Sequence, residues 1–186
     1  MDFGKNLAGQ GTVNSINSLA KAATINDSVQ ATGTGLTLTG FIKGVGSYSG
    51  SVTFAGTYSP GLSPAAVDLE NLSLIETSTL LMEIGGLNAG SQYDRINVSG
   101  VAQLDGTLNV MLVPGFTPRL NDTFDLFDGQ LTGNFDTINL PALSEPYFSW
   151  DTTQLRTTGV VAVVPEPGIF TLLGLAAGCL FARRKR

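Results

Sequence analysis

Any catalytic chemistry in this chain would have to rest on carboxylates, because its 186 residues include no histidine and only one cysteine. Histidine is the usual general acid or base near neutral pH, and it completes the Ser-His-Asp and Cys-His nucleophile systems. Zinc and copper sites built from imidazole or several thiolates are excluded for the same reason. Gly85-Gly86 and the other glycines lack the spacing of a phosphate-binding loop. The sequence predicts no catalytic residue, no cofactor and no metal.

The densest acidic cluster is formed by Asp122, Asp125 and Asp128-Gly129. Carboxylate oxygens are the ligands that Ca²⁺ prefers, but this spacing matches neither an EF-hand loop nor the glycine-rich repeat of calcium-binding β-rolls. The favoured interpretation is a turn at Asn121-Asp122, a solvated Asp125 on a strand, and a second turn at Asp128-Gly129.

Asp94 is the other candidate carboxylate, placed directly before an expected strand over Arg95–Val98. Acidic pairs cleave polysaccharides, and some enzymes that do so are β-helices, but this is fold-level analogy. A turn in which Asp94 accepts hydrogen bonds from nearby backbone N–H groups is favoured. Four aromatic residues could stack on sugar rings, although aromatics on strands usually pack against their neighbours: Tyr48, Tyr58, Tyr93 and Trp150.

The elements that must position these residues are short and β-like. Alternation of apolar and polar residues is clear in Leu36–Thr39, Leu108–Leu112 and Phe124–Phe127, and it is typical of half-buried strands. Strand-length segments at roughly ten-residue spacing indicate an all-β domain. The expected strands cover 11–16, 35–39, 51–57, 67–74, 79–84, 95–98, 106–112, 123–127, 134–138, 148–150 and 159–164. The best helix candidate is Ile16–Ala23.

Charge and size bound the possible partners. The net charge is −5, and the basic residues outside the C-terminal stretch are few, so the body is acidic and nucleic acid is not an expected partner. About 160 residues outside that stretch suit one domain. The N-terminus lacks the basic and apolar regions of a signal peptide, which suggests that the sequence is truncated or that its start is misplaced.

The last stretch, Val164–Arg186, has three parts in a fixed order: Pro165-Glu166-Pro167, an uncharged apolar run over 168–182, and Arg183-Arg184-Lys185-Arg186. Fifteen apolar residues form a helix of roughly 22 Å, short for a bilayer core of about 30 Å. The terminal cations would keep their end in the cytoplasm, with the body outside. A buried C-terminal helix is the alternative, but the four adjacent cations argue against it.

This stretch resembles the PEP-CTERM sorting signal of Gram-negative bacteria. The resemblance implies processing by an exosortase, a membrane-embedded cysteine transpeptidase-like enzyme that would recognise Pro165, Glu166 and Pro167 and cut nearby. Arg183, Arg184, Lys185 and Arg186 would set the orientation. The chain would first span the cytoplasmic membrane once and would reach the cell surface or the extracellular space after processing.

Several segments of the body are similar to autotransporter-like passenger repeats: Tyr58–Pro64, Leu81–Gly86, Gln92–Gly100 and Gly106–Val110. This second resemblance implies a right-handed parallel β-helix (solenoid), in which each coil stacks on the one before it. An antiparallel β-sandwich or jelly roll is the alternative, since the same strand spacing permits it. The expected fold is therefore all-β, followed by one short C-terminal transmembrane helix.

Three regions are expected: a solenoid passenger over 1–113, a β-rich C-terminal cap over 114–164, and the sorting signal and membrane anchor over 165–186. The cap carries most of the aromatic residues and ends on a strand over 159–164, so part of the apolar stretch before Pro165 belongs to the body. A solenoid needs such an atypical end unit to cover its last coil.

Two functions remain open. The favoured one is an exported, non-catalytic structural or adhesive protein of the cell surface or extracellular matrix, with an exosortase and, transiently, the cytoplasmic membrane as partners. The alternative is an exported polysaccharide-active enzyme or carbohydrate-binding module, with extracellular polysaccharide as its partner. A groove that holds two close carboxylates beside exposed aromatics would favour the alternative.

Overall fold

The computed structural model describes residues 7–14 and 22–166, which contain fifteen β-strands and one short helix. Twelve strands form two six-stranded sheets, and three form a small third sheet. Sheet I has this order: β1 (Leu7–Asn14), β3 (Val29–Thr39), β5 (Tyr48–Phe54), β7 (Ala66–Leu74), β9 (Arg95–Leu104) and β12 (Phe127–Gly133). Sheet II has this order: β13 (Thr137–Asn139), β10 (Thr107–Leu112), β8 (Thr79–Ile84), β6 (Thr57–Pro60), β4 (Phe41–Gly44) and β2 (Ala23–Thr24).

The chain alternates between these two sheets from β1 to β10, and it returns to them with β12 and β13. Each strand pairs in parallel with the next strand of its own sheet. Parallel pairing is the expected result, because the chain crosses to the other sheet before it comes back in the same direction. The prediction of an all-β fold is confirmed, and this connectivity is compatible with a β-helix. The alternative of an antiparallel sandwich is wrong for sheets I and II.

The core lies between the two sheets and is built from columns of aligned apolar side chains. In sheet II, Ile42 pairs with Tyr58, Tyr58 with Leu80, and Leu80 with Leu108, and each of the four is at most 1% exposed. In-register parallel pairing brings the same inward position of every coil into contact. Each fully buried side chain of this size contributes about 1.5–3 kcal/mol. The columns explain why the alternating segments of the sequence stack.

Sheet I bends where its strands shift register. Such shifts occur in β5 between Tyr48 and Ser51 and in β7 between Leu69 and Leu72. Gly50 lies at the first of them with φ of 76°, and a Cβ there would collide with the carbonyl oxygen of Ala31. Glycine is therefore needed at this bend, since bulges increase the local curvature of a strand. Aligned bends in neighbouring strands give sheet I a concave outer surface.

Sheet III closes the C-terminal end of the described chain. Its order is β11 (Thr123–Asp125), β15 (Val160–Pro165) and β14 (Phe148–Asp151), and both of its pairings are antiparallel. The helix α1 (Leu155–Thr158) connects β14 to β15 and ends at Gly159, which has φ of 78°. A left-handed residue after a helix is usually glycine, and it redirects the chain into β15. The last strand of the described chain, β15, is the central strand of sheet III.

Some of the architectural expectations concern described residues, and others fall outside them. Strands β12 and β13 extend sheets I and II although they belong to the predicted cap over 114–164. The division into three regions stays a prediction. The helix candidate Ile16–Ala23 falls mostly outside the described residues, and its last residue begins β2. The predicted membrane helix over 168–182 lies entirely outside them. Within 7–14 and 22–166, no helix combines the length and apolar content that crossing a membrane requires.

Candidate functional site

The C-terminal end of β15 carries the first two residues of the predicted sorting motif. Pro165 is the last residue of β15 and pairs with Phe148 of β14. Glu166 follows, and its backbone N–H donates a hydrogen bond of 2.8 Å to the carbonyl oxygen of Tyr147. Pro165 is half-buried and Glu166 is exposed. The motif therefore begins inside the folded body, with no linker between the two.

Proline is tolerated in this central strand because of the direction in which its backbone faces. Val163 exchanges backbone hydrogen bonds of 2.9 Å with Asn121 and Asp122, on the β11 side. Alternate residues of a strand point their backbone groups to the same neighbour, so Pro165 also faces that side, one step beyond the last bond. The missing N–H of Pro165 thus leaves no ladder bond unmade.

Apolar packing in the core holds β15 in place. Val161 and Val163 are fully buried, and Val161 pairs with Phe124, which is also fully buried. The Phe124 ring contacts that of Trp150 at a centroid distance of 5.9 Å. The Trp150 indole N–H donates a hydrogen bond of 2.8 Å to the carbonyl oxygen of Pro141. The apolar residues before Pro165 consequently belong to the body, which confirms the expected final strand.

The other predicted signal residues, Pro167 and Arg183-Arg184-Lys185-Arg186, lie outside the described residues. Their roles in processing and orientation stay predictions.

Asp94 joins two coils through its carboxylate. Its Oδ1 accepts a bond of 2.8 Å from the Ala65 N–H, before β7, and its Oδ2 accepts one of 2.7 Å from the Glu83 N–H, in β8. Its own backbone N–H donates to the Glu83 carbonyl oxygen at 2.9 Å. The residue is fully buried, and burial raises its pKa to about 7 although the two N–H bonds favour the ionised form. The expectation that Asp94 accepts backbone N–H bonds is confirmed, but the donors lie 11 and 29 residues away in neighbouring coils and not in a local turn.

The acidic cluster at 122–128 is distributed over separate contacts. Asp122 Oδ2 accepts a hydrogen bond of 2.7 Å from the Arg119 N–H, in a turn where Asn121 has φ of 71°. Asp125 lies in β11 as expected, but its side chain is partly buried and paired with Arg95 and is not fully solvated. Asp128 lies in β12 beside a register shift and not in a turn. The expected turn was wrong because pairing with β9 draws this segment into sheet I. In the described part of the chain, no three acidic or cysteine side chains are grouped so that they could hold a metal ion.

Sequence reasoning missed the role of Arg95. Its guanidinium Nη2 lies 3.2 Å from Asp125 Oδ2 and 2.7 Å from Asp128 Oδ2, so it joins sheet I to sheet III. Burial raises the pKa of Asp125, and the positive charge of Arg95 partly offsets this. Arg95 lies some 30 residues before the two aspartates. Only the repeat of coils along the sequence could have indicated that these residues meet.

Replacing Arg95 by methionine is expected to lower the free energy of unfolding by about 1–2 kcal/mol. The substitution keeps the stem but leaves two carboxylates facing each other without their cation, and both are partly exposed, which limits the effect. Urea unfolding at pH 7 measures the change. Arg119→Met is the matched control, since the side chain of Arg119 is exposed. Equal losses in the two variants would contradict the bridging role.

An open groove of about 790 Å³ follows the concave surface of sheet I, across β3, β5, β7, β9 and β12. Two of the acidic side chains along the groove are hydrogen-bonded to groups on neighbouring strands of sheet I. Asp68 accepts a hydrogen bond of 2.8 Å from the Asn97 side-chain amide, and Glu70 accepts one of 2.7 Å from the Gly50 N–H. The groove was not predicted from the sequence, although Asp68 and Asn97 occupy equivalent positions in the alternating segments of β7 and β9. The expected aromatics are not exposed here, because Tyr48, Tyr58 and Tyr93 are buried.

Comparison with known proteins bears on the end of the chain alone. Residues 163–186 match the family model described as the PEP-CTERM protein-sorting motif. No curated protein and no solved structure shows a significant match to the chain. The motif indicates an exported, envelope-targeted protein that is sorted through an exosortase. Its matched region begins at Val163, a fully buried residue of β15, so signal and body overlap by four described residues (163–166).

Proposed function

We propose that this chain is an exported, non-catalytic structural or adhesive protein of the cell surface or extracellular matrix, released by exosortase processing at its C-terminus. The observation that carries the proposal is the sorting motif at the end of an all-β body of stacked parallel strands. Stacked strands form a long, regular surface. Such bodies suit display and adhesion.

The architecture that we propose is a right-handed parallel β-helix of the autotransporter-like passenger type. Two observations support it: the strands alternate between sheets I and II, and paired residues such as Val29 and Tyr48, or Leu69 and Val98, lie 19 and 29 positions apart. These offsets are the coil lengths, with longer coils toward the C-terminus. Sheet III and α1 would serve as the cap, since α1 packs beside β12, the last strand of sheet I.

The use of the carboxylates supports a non-catalytic body. Asp94, Glu70 and Asp122 each accept backbone N–H bonds that fix a turn or a bend. Asp125 and Asp128 are paired with Arg95. General acid–base catalysis would require a carboxyl group that faces a substrate and is free to exchange a proton with it.

The proposed path begins at the cytoplasmic membrane, where the tail spans once with the body outside. Exosortase recognises Pro165, Glu166 and Pro167, and Arg183, Arg184, Lys185 and Arg186 hold the cytoplasmic end. The body then passes to the surface or the medium.

Cell fractionation with mass spectrometry of the C-terminus tests this path in cells that carry the exosortase. The wild-type chain should reach the surface fraction shortened near the motif. A chain with Pro165→Ala, Glu166→Ala and Pro167→Ala should stay in the membrane fraction at full length, whereas the exposed control Glu76→Ala should behave as wild type. An intact C-terminus on a wild-type cytoplasmic protein would overturn the proposal.

Polysaccharide binding is the second candidate, and the groove on sheet I favours it. A furrow across five strands could follow an extended glycan, with Asp68, Glu70 and Asn97 as polar contacts. The absence of exposed aromatics among its lining residues weighs against a sugar-stacking platform. A glycan screen of the exported body distinguishes the two functions, since a non-binding body leaves only the structural role.

A further inference from the structure

The sorting motif is held in sheet III at the point where an enzyme must reach it. Val164 pairs with Ser149, Pro165 with Phe148, and the Glu166 N–H is bonded to the Tyr147 carbonyl oxygen. On the other side, the last bonds of β15 are those of Val163 with Asn121 and Asp122. The last residues of β15 are therefore hydrogen-bonded to β14 only.

A strand paired along its backbone cannot also enter an enzyme as an extended peptide. Cleavage within or beside such a segment requires a local opening that frees its N–H and C=O groups. When opening and closing are fast, the rate of cleavage follows the population of the open form. Because only one side of the end of β15 is paired, this opening can occur without unfolding sheets I and II.

We propose that exosortase processing of this chain is controlled by the separation of the end of β15 from β14. The inference rests on the proposed function, and it adds a regulatory element: the folded cap limits access to its own sorting motif. The residues that set the rate are those that hold β14 against β15, chiefly the half-buried Phe148, which pairs with Pro165 and packs against the buried core. A folded cap would then slow processing relative to a chain whose β14–β15 pairing is open.

A reversible covalent lock tests the opening directly. Ser149 and Val164 are direct partners, and by alternation from the Tyr147–Glu166 bond they form a hydrogen-bonded pair, with Cα atoms about 5.5 Å apart, which a disulfide can span. Full-length Ser149→Cys/Val164→Cys, in a Cys179→Ser background, should be processed at least tenfold more slowly when oxidised. Reduction should restore the rate. Val164→Cys alone, in the same background, is the control for any effect of the substitution on recognition.

A weakened pairing should have the opposite effect. Phe148→Ala removes the apolar contact beside Pro165 and should raise the initial processing rate about tenfold, which corresponds to ~1.4 kcal/mol of lost pairing. Val52→Ala is the matched control: Val52 is 1% exposed in sheet I, so its loss lowers overall stability without freeing β15. Immunoblots of precursor and product over time, with the product identified by mass, give the rates.

The outcomes separate the two claims. Slower processing of the locked chain with faster processing of Phe148→Ala supports the control by opening. Equal rates for the oxidised and reduced double-cysteine chains would overturn that control while leaving the chain an exosortase substrate. If neither the wild type nor the Cys179→Ser reference chain is processed, the proposed function itself is overturned.

Discussion

Asp94→Ala should lower the free energy of unfolding by about 3 kcal/mol. The substitution leaves the N–H groups of Ala65 and Glu83 without their acceptors, and Asp94 is fully buried, so water does not replace it freely. An unsatisfied buried donor costs about 1–3 kcal/mol, and part of the sum is offset because a buried carboxyl group is removed as well. Urea unfolding at pH 7, followed by circular dichroism, measures the change.

The matched control is Asp68→Ala, a carboxylate in β7 that is exposed and accepts one side-chain bond from Asn97. Its loss should change the unfolding free energy by no more than about 0.5 kcal/mol. A similar small effect for Asp94→Ala would mean that the two coils do not depend on the carboxylate that joins them.

Stability should decrease as pH rises from about 4 to about 7. An aspartate in the unfolded chain loses its proton near pH 3.9, whereas the folded pKa of Asp94 is raised to about 7. Between these values the folded chain holds a proton that the unfolded chain has lost, so raising the pH favours unfolding. Three pH units correspond to at most about 4 kcal/mol, fully present below pH 4 and lost above pH 7.

Other carboxylates also titrate in this range, so the difference between the wild type and Asp94→Asn is the useful quantity. Asparagine does not titrate there, and the difference in unfolding free energy should shrink by several kcal/mol between pH 4 and pH 7. Thermal unfolding at half-unit pH steps follows it. A difference that stays constant would show that Asp94 is ionised throughout, held by its two N–H donors.

Alternation along the sequence was sufficient to find most strands. The segment 79–84 was predicted at the bounds of β8, and 67–74 differs from β7 by one residue. Both have regular inward apolar positions, so the local pattern carries the information. Strands β4 and β6 were missed because each has only four residues and includes glycine or proline. They exist because sheet II offers a partner on each side.

Parallel pairing depends on contacts that no short window contains. Tyr48 pairs with Leu69, and Leu69 with Val98, across unequal coil lengths of 21 and 29 residues. Unequal lengths obscure the repeat in the sequence, which is why the choice between stacked coils and a sandwich rested on resemblance. The tie of Arg95 to Asp125 and Asp128 was missed for the same reason.

The sorting motif was found from sequence because its three parts are adjacent, ordered and compositionally distinct. Its attachment to the body was only half anticipated. The final strand was expected to end at Val164 and includes Pro165 as well, since the partner of Pro165 is Phe148, 17 residues earlier. Composition marks the signal, whereas tertiary pairing sets where the body ends.

The central place of β15 in sheet III determines how the body bears mechanical load. A pull on the tail acts along β15, while its ladder bonds to β11 and β14 run across that direction. Tension along the strand therefore shears bonds on both sides together. A sideways force on Glu166 meets one bond at a time. The same junction can hold firm under traction and still yield to an enzyme that lifts its last residues.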